Sequence, residues 1–282
     1  MHITGESNLD MKELEKSKSL VKILARPKLK SPCMLAAWPG ISSVSMIVAT
    51  YLKKKLAFKD LAEISAAHFF DPIGVIARDA VVEAPQFPQS KFYYWKNKDG
   101  KNDIILFIGD DQPSSRNYEM AGCVVDTALK FQAERIYTCA AAVTRIHHTE
   151  QPKVWGVASN RDLVQELKQY DLLRVGNMQI AGLNGLVLGV AKEKEVDALC
   201  LLGEVPVYAT RVQNPMAALS IVKVLTRMLG INIDTEDLVL LASEAREKMK
   251  QAAAEAMGEY IDYFTAPIWE SGNDEEEEEE EE

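Results

Sequence analysis

Four short segments of the chain hold the residue types that chemistry needs: Trp38-Pro39-Gly40, Gly109-Asp110-Asp111-Gln112-Pro113, Arg145-Ile146-His147-His148 and Gly203-Glu204-Val205-Pro206. Each follows or ends an apolar run that reads as a buried strand, and open α/β sheets hold their ligands in the loops after such strands. Asp110 and Asp111 are a carboxylate pair suited to a divalent cation or to sharing one proton; a solvated turn uses the same pair, because adjacent side chains diverge. His147 and His148 offer a base and a ligand, while the polar run Thr149-Glu150-Gln151 after them equally describes a surface loop. Glu204, behind a buried strand, can carry a raised pKa or make a structural hydrogen bond. Gly40 is the natural turn residue after the first strand, and Arg78, Arg145 and Arg211 are the cations on offer for a phosphate. The candidate ligand-binding set is thus Gly40, Asp110, Asp111, Arg145, His147 and Glu204. No catalytic residue, metal ligand or cofactor is assigned: the chain has no G-x-G-x-x-G or P-loop glycine pattern, no G-x-S-x-G elbow, no H-E-x-x-H helix and no C-x-x-C pair.

The elements that must carry these loops follow from hydrophobic spacing. Cys33 to Trp38 is a short apolar run, and Ile41, Val44, Ile47, Val48, Tyr51 and Leu52 then recur at helical spacing. A second strand is expected at Leu61 to Ala66, followed by loop and short strands where Pro72, Pro85 and Pro88 fall. Phe92 to Gly109 reads as a hairpin around Asp99-Gly100. A helix starts from Pro113-Ser114-Ser115, strands run from Arg135 to Val143 and from Val154 to Ala158, and Asn160 to Tyr170 is helical. Leu183 to Ala191 is a helix behind Gly182 and Gly185, and Asp197 to Leu202 a strand. Asn214 caps a helix that begins at Pro215 and ends before Gly230. Asp234 or Thr235 caps a last long helix with Leu238, Leu241, Ala242, Ala245, Met249 and Ala253 on one face. Uniformly apolar strands separated by helices predict an α/β fold, a three-layer α/β/α sandwich with a mostly parallel sheet, plus a C-terminal helix. The expected organisation is an N-terminal extension (1–30), a core (31–233), a C-terminal helix with an aromatic segment (234–270) and a disordered acidic tail (271–282).

Composition narrows the function classes. The N-terminal twenty residues are polar and lack the apolar region of a secretory signal, and no apolar run approaches the roughly 20 residues that span a bilayer. A soluble, cytoplasmic protein without a membrane partner is expected. The four cysteines, Cys33, Cys123, Cys139 and Cys200, are scattered, and three sit in apolar runs as small buried hydrophobes, consistent with a reducing compartment. The net charge of −10 comes almost wholly from Asp274 and the eight glutamates Glu275 to Glu282; without these nine, 33 carboxylates face 32 cations. Such a tail cannot bury apolar surface and repels itself. Basic residues elsewhere are dispersed, with Lys53-Lys54-Lys55 the one tight cluster, so no nucleic acid partner is expected.

Five segments in order, MLAAWPGISSVSMIVATYL, GDDQP, KVWGVASNRDLVQEL, AGLNGLVLGVA and LLGEVPVYATRVQNPMAALSIVKVLTRMLGINIDTEDL, resemble the proteasome assembly chaperone family, the one named for the second subunit of the eukaryotic assembly chaperone. They are spread in the expected order over Pro32 to Leu238. The resemblance implies a core similar to that of nucleoside phosphorylases, self-association into homo-oligomers, and a scaffold or chaperone role with no established catalytic residues. It also implies proteasome-like subunits as partners. Archaeal members dock through a C-terminal hydrophobic-tyrosine-any tripeptide; this sequence ends in Glu280-Glu281-Glu282, so that docking mode is not expected. Tyr260, Tyr263, Phe264 and Trp269 lie upstream instead, as partner-binding aromatics or as side chains that pack the last helix on the core. Two function classes stand after this reading: a self-associating protein-binding assembly factor, and a phosphorylase-like or nucleotide-binding enzyme whose strand-end loops converge on one polar pocket.

Overall fold

A computed structural model of the chain describes residues 20–265, apart from residues 99, 101 and 175. Its strands are β1 (Val21–Ile23), β2 (Cys33–Ala37), β3 (Lys59–Ile64), β4 (Ala77–Arg78), β5 (Val81–Val82) and β6 (Ser90–Trp95). They continue with β7 (Ile104–Gly109), β8 (Arg135–Thr144), β9 (Val154–Ala158), β10 (Leu173–Arg174) and β11 (Asp197–Pro206). The helices are α1 (Val44–Lys55), α2 (Ala66–Phe69), α3 (Asn117–Lys130), α4 (Arg161–Leu167), α5 (Leu183–Glu193), α6 (Pro215–Leu229) and α7 (Glu236–Thr265).

Nine strands form one sheet in the order β1-β3-β6-β7-β2-β8-β11-β9-β10. The four central strands, β7, β2, β8 and β11, run parallel. Their sequences dictate this position: every residue of β2 and β7 is buried, as a strand covered on both faces requires. Side chains alternate between two cores. Leu35, Leu106, Cys139 and Leu201 face α1, α4 and α6, while Met34, Phe107, Ile136 and Cys200 face α3 and α5. This is the expected α/β/α sandwich. Antiparallel strands flank the parallel centre, with β6 on β7, β3 on β6 and β1 on β3, and β9 against β11 on the other side. The expected hairpin is present, with Trp95 opposite Ile104; Asp99 of its turn lies outside the described residues.

Several local expectations need correction. Gly40 is not a turn of left-handed backbone: its φ of −165° is extended, and Ser42 and Ser43 take the positive φ angles, 51° and 54°. The helix expected from Pro113 starts at Asn117, after Arg116 in the left-handed region at φ 60°. Strand β11 runs on to Pro206 because Gly203, Glu204 and Val205 pair with Ala141, Ala142 and Val143 of β8, so Glu204 lies in the strand and not in a loop after it. On α7, Leu238, Ala242, Ala245 and Met249 are buried, but Leu241 is half exposed.

α7 is held at its start by charge as well as apolar contact. The Tyr51 hydroxyl lies 2.6 Å from Asp237 Oδ1, with the Asp234 carbonyl as its other acceptor at 2.8 Å. Lys55 Nζ adds a contact at 3.0 Å to Asp237. The Tyr51 hydroxyl and the Lys55 and Lys54 ammonium groups hold the Asp237 carboxyl well below the usual range. Tyr260, Tyr263 and Phe264 fall in the last turns of α7, and their side chains are outside what is described; Trp269 and the acidic tail lie outside the described residues. No described helix is long and apolar enough to cross a membrane.

Candidate functional site

At the carboxyl ends of the parallel strands a cavity of about 420 Å³ opens between the ends of β2 and β8, the start of α1 and the segment that enters α5. That volume lies within the range of small-molecule sites. Its wall is built from two side-chain amides. Asn184, buried in the first turn of α5, accepts from the Trp38 backbone N–H at 3.1 Å and from Ser45 Oγ at 3.3 Å, and donates to the Trp38 carbonyl at 3.2 Å. Gln112, in the loop after β7, donates to the Pro39 carbonyl at 2.6 Å and accepts from the Leu183 N–H at 2.8 Å. Together they satisfy backbone groups where strand and helix ends run out of partners.

Two glycines let these pieces come close. Gly182 stands at φ 75°, and a Cβ there would approach Gln112 Oε1 to 2.7 Å. A Cβ on Gly185 would collide with the Ile180 carbonyl. Beneath the cavity Trp38 and Phe107 pack with ring centroids 4.7 Å apart, and Phe92 meets Phe107 at the same separation.

Among the described residues that line the cavity there is no Asp, Glu, His, Lys, Arg or Cys. Its hydroxyl, Ser45 Oγ, donates to an amide oxygen that cannot take a proton at neutral pH, so nothing here activates it as a nucleophile. The site suits an uncharged group held by shape and amide hydrogen bonds.

The sequence-derived candidates do not meet in one place. Gly40 lines this cavity; Arg145 and Glu204 line a separate, smaller one of about 290 Å³. There Glu204 Oε2 accepts from the Lys153 N–H at 2.9 Å, which joins β11 to the start of β9. Asp110 points elsewhere: its carboxylate accepts from the Gln89 N–H at 3.1 Å, and its N–H donates to the Gln89 carbonyl at 2.8 Å. Asp111 accepts from the Gln112 N–H at 2.7 Å, a local turn bond. No described group of three or more His, Cys, Asp and Glu side chains is placed to hold a metal ion.

His147 and His148 stack with ring centroids 4.1 Å apart. His147 closes its own turn, donating its N–H to Glu150 and bonding Thr149 through Nδ1. His148 bonds Tyr208 Oη through both its N–H and Nδ1, each at 2.9 Å. Burial, and then the neighbouring His147, push the His148 pKa down, so it is neutral near pH 7. Of the three phosphate candidates, Arg78 pairs with Glu83 at 3.0 Å, and Arg145 alone lies in a cavity lining. The four cysteines are buried and free, and burial raises Cys33 and Cys123 to about 11 and Cys200 to about 12. They are thiols, not thiolates, at neutral pH.

No sequence motif marks Asn184 or Ser45, and Gln112 stands in the sequence only as part of the loop Gly109–Pro113. The signal was present in Asn184, a lone amide within the apolar run Leu183 to Val190, where a buried polar side chain must find partners. What it bonds to was not readable, because Trp38 is 146 positions away in sequence.

Residues 34–253 match the model of the PAC2 family. An uncharacterized protein of Methanocaldococcus jannaschii, MJ1210, is 25% identical over 228 residues, covering 78% of this chain and 84% of that one. PbaB of Pyrococcus furiosus, described as an archaeal proteasome activator, superposes with a TM-score of 0.70 at 26% identity, over 83% of this chain and 98% of that one. PbaA of the same organism, an archaeal homolog of proteasome-assembly chaperone, gives 0.64 at 25% identity, over 86% and 95%. A PAC2 family protein from Streptomyces avermitilis shares the fold, with a TM-score of 0.68 at 21% identity over 82% and 99%. The match runs from the first buried strand, through the amide-bonded strand ends, to the middle of α7, and on that extent the chain belongs to the PAC2 family.

Proposed function

We propose that this protein is a self-associating, protein-binding assembly factor that holds protein subunits, proteasome-like ones included, and does not transform a substrate. The observation that carries this reading is the family match over residues 34–253, with PbaB and PbaA among the similar structures. The cavity supports it from the chemical side. Asn184 and Gln112 are engaged in holding Trp38, Pro39 and Leu183 in place, and the described lining offers no proton carrier. The reading is further supported by an exposed apolar segment at 71–88, since soluble chains keep such surface where another surface covers it.

The test is capture of the N-terminally tagged full chain from its own lysate after mild cross-linking, with mass spectrometry of what is retained. Proteasome-like subunits, or another subunit in stoichiometric amount, are expected. Recovery of the chain with no partner at any salt concentration overturns the reading.

A second reading has one observation in its favour, the cavity volume at the carboxyl ends of the parallel strands. It predicts that an uncharged ligand such as a nucleoside raises the unfolding temperature, and that Asn184→Ala removes the shift. A flat thermal-shift screen of nucleosides and phosphates eliminates it.

A further inference from the structure

Between α2 and β6 the chain leaves the body as an arm. Residues 71–82 are exposed without interruption, and they include Ile73, Val75, Ile76, Val81 and Val82. Ile73 is as exposed as in an open peptide, and Val81 and Val82 are about two-thirds exposed. Among the described strands β4 and β5 pair only with each other, and neither outer edge has a described partner. Their two-residue turn, Asp79-Ala80, takes positive φ at both positions, 48° and 62°, without a glycine to relieve it. A lone two-stranded ribbon is marginal in water, and one with a strained turn and bare aliphatic side chains gains most from being covered. The body holds the arm's two feet. Arg116 Nη1 bonds the His68 carbonyl at 3.4 Å on the outgoing side, and Asp110 bonds Gln89 on the return.

The chain carries a surface of opposite charge to match. β1 is the end strand of the sheet, and among the described residues its outer edge has no partner. From Val21 to Lys30 burial alternates residue by residue, which puts Lys22, Leu24, Arg26, Lys28 and Lys30 on the exposed side. Lys22 is paired with Glu63 of β3. Arg26, Lys28 and Lys30 have no ion pair among the described residues, and Leu24 is an exposed aliphatic among them. On the arm, Arg78 is engaged by Glu83, and Asp71 and Asp79 have no ion pair among the described residues.

We propose that the arm, residues 71–88, docks along the outer edge of β1 and the basic run Arg26–Lys30 of a second copy of this chain, head to tail. This rests on the self-association in the function proposed above and names its interface. Charge selects the occupant: two β1 edges set against each other would oppose like charges, whereas the arm brings carboxylates and aliphatic surface together. Geometry makes the contact intermolecular. The arm follows Ile64, which pairs with Val21, while the basic run departs from the other end of β1, so the two leave the β1–β3 pair in opposite directions. Each copy then uses both surfaces, which closes a ring or grows a filament.

Sedimentation velocity of the full chain tests this, with an arm variant, Val81→Glu/Val82→Glu, and an edge variant, Arg26→Glu/Lys28→Glu. The wild type is expected to associate, and each variant to do so about tenfold more weakly or worse. Mixing the two variants is expected to restore a two-copy complex, since each retains one intact surface, whereas a symmetric interface would stay broken. A cysteine pair, Val82→Cys with Lys28→Cys, is expected to cross-link between copies under a mild oxidant, because the native thiols are buried. Variants that associate like the wild type, or a pair that fails to cross-link, overturn the arm as the interface and leave self-association standing. A wild type monomeric at every concentration overturns both, while partner capture continues to test the protein-binding reading.

Discussion

The cavity wall and the arm use similar residues to opposite ends. At the base of the cavity Trp38, Phe92 and Phe107 are buried, while Ile41, Val143 and Met178 of its lining are partly open to solvent, and the polar groups Asn184, Gln112 and Ser45 are bonded to partners far apart in sequence. On the arm, Ile73, Val81 and Val82 stand in solvent, and the polar anchors lie only at its feet. The first region is where stability resides and where substitution is costly. The second adds little to the stability of one copy, and such surface is informative about partners. In this molecule apolar character alone says nothing about role; whether another surface covers it does.

Two phenylalanines sharpen the contrast most. Phe107, fully buried between Trp38 and Phe92, should cost about 4 kcal/mol when replaced by alanine, read from urea unfolding of dilute protein. A cost below that of an ordinary surface substitution would mean the strand-end region is far looser than its contacts imply.

Asn184→Leu comes next. It keeps the volume but leaves the Trp38 N–H and carbonyl and the Ser45 hydroxyl without their shared partner, an expected loss of about 3 kcal/mol. Equal stability of the variant in the same unfolding experiment would show that the amide is dispensable to the wall.

The attachment of α7 should respond to acid. The Asp237 pKa is depressed in the folded chain, so its contribution is complete above the unfolded value of about 3.9 and is lost as pH falls below it. Protection from hydrogen exchange in the first turns of α7, taken relative to the intrinsic rate at each pH, should therefore fall below about pH 4, and Asp237→Asn should flatten that dependence. His148 acts in the same direction nearer neutrality. Its depressed pKa makes the Tyr208 contact weaken as pH falls below the unfolded value of about 6.5.

The smallest effect belongs to the arm. Phe87→Ala, at a side chain 37% exposed, should leave the unfolding free energy of dilute protein within about 0.5 kcal/mol. A loss comparable to that at Phe107 would show that the arm packs on its own body and would remove the contrast.

Much of this fold is legible in the sequence. Alternating apolar runs and helical spacings placed the central strands and α1, α4, α5 and α6 within a few residues, and the Asn214-Pro215 start and Gly230 stop of α6 were located to the residue. The candidate site was read less well. Asp110, His147 and Glu204 were singled out for their chemistry, yet each is occupied by a neighbouring turn or strand: Gln89, Glu150 with Thr149, and the Lys153 N–H. The helix before Asn117 and the strand beyond Leu202 were misplaced because both boundaries depend on partners distant in sequence, His68 for Arg116 and β8 for Glu204.

By itself the sequence determined the layers, since hydrophobic period is a local property that each segment carries with it. It also placed three of the four cysteines in apolar runs as buried side chains, and all four are buried and free. Tertiary structure alone decided which polar residues are free to act. A hydrogen bond between Trp38 and Asn184 closes over 146 positions, and no local pattern encodes a partner at that range. It likewise decided that the aliphatic side chains of residues 71–82 stay outside, because burial depends on what other segments bring near, and the described residues leave them uncovered.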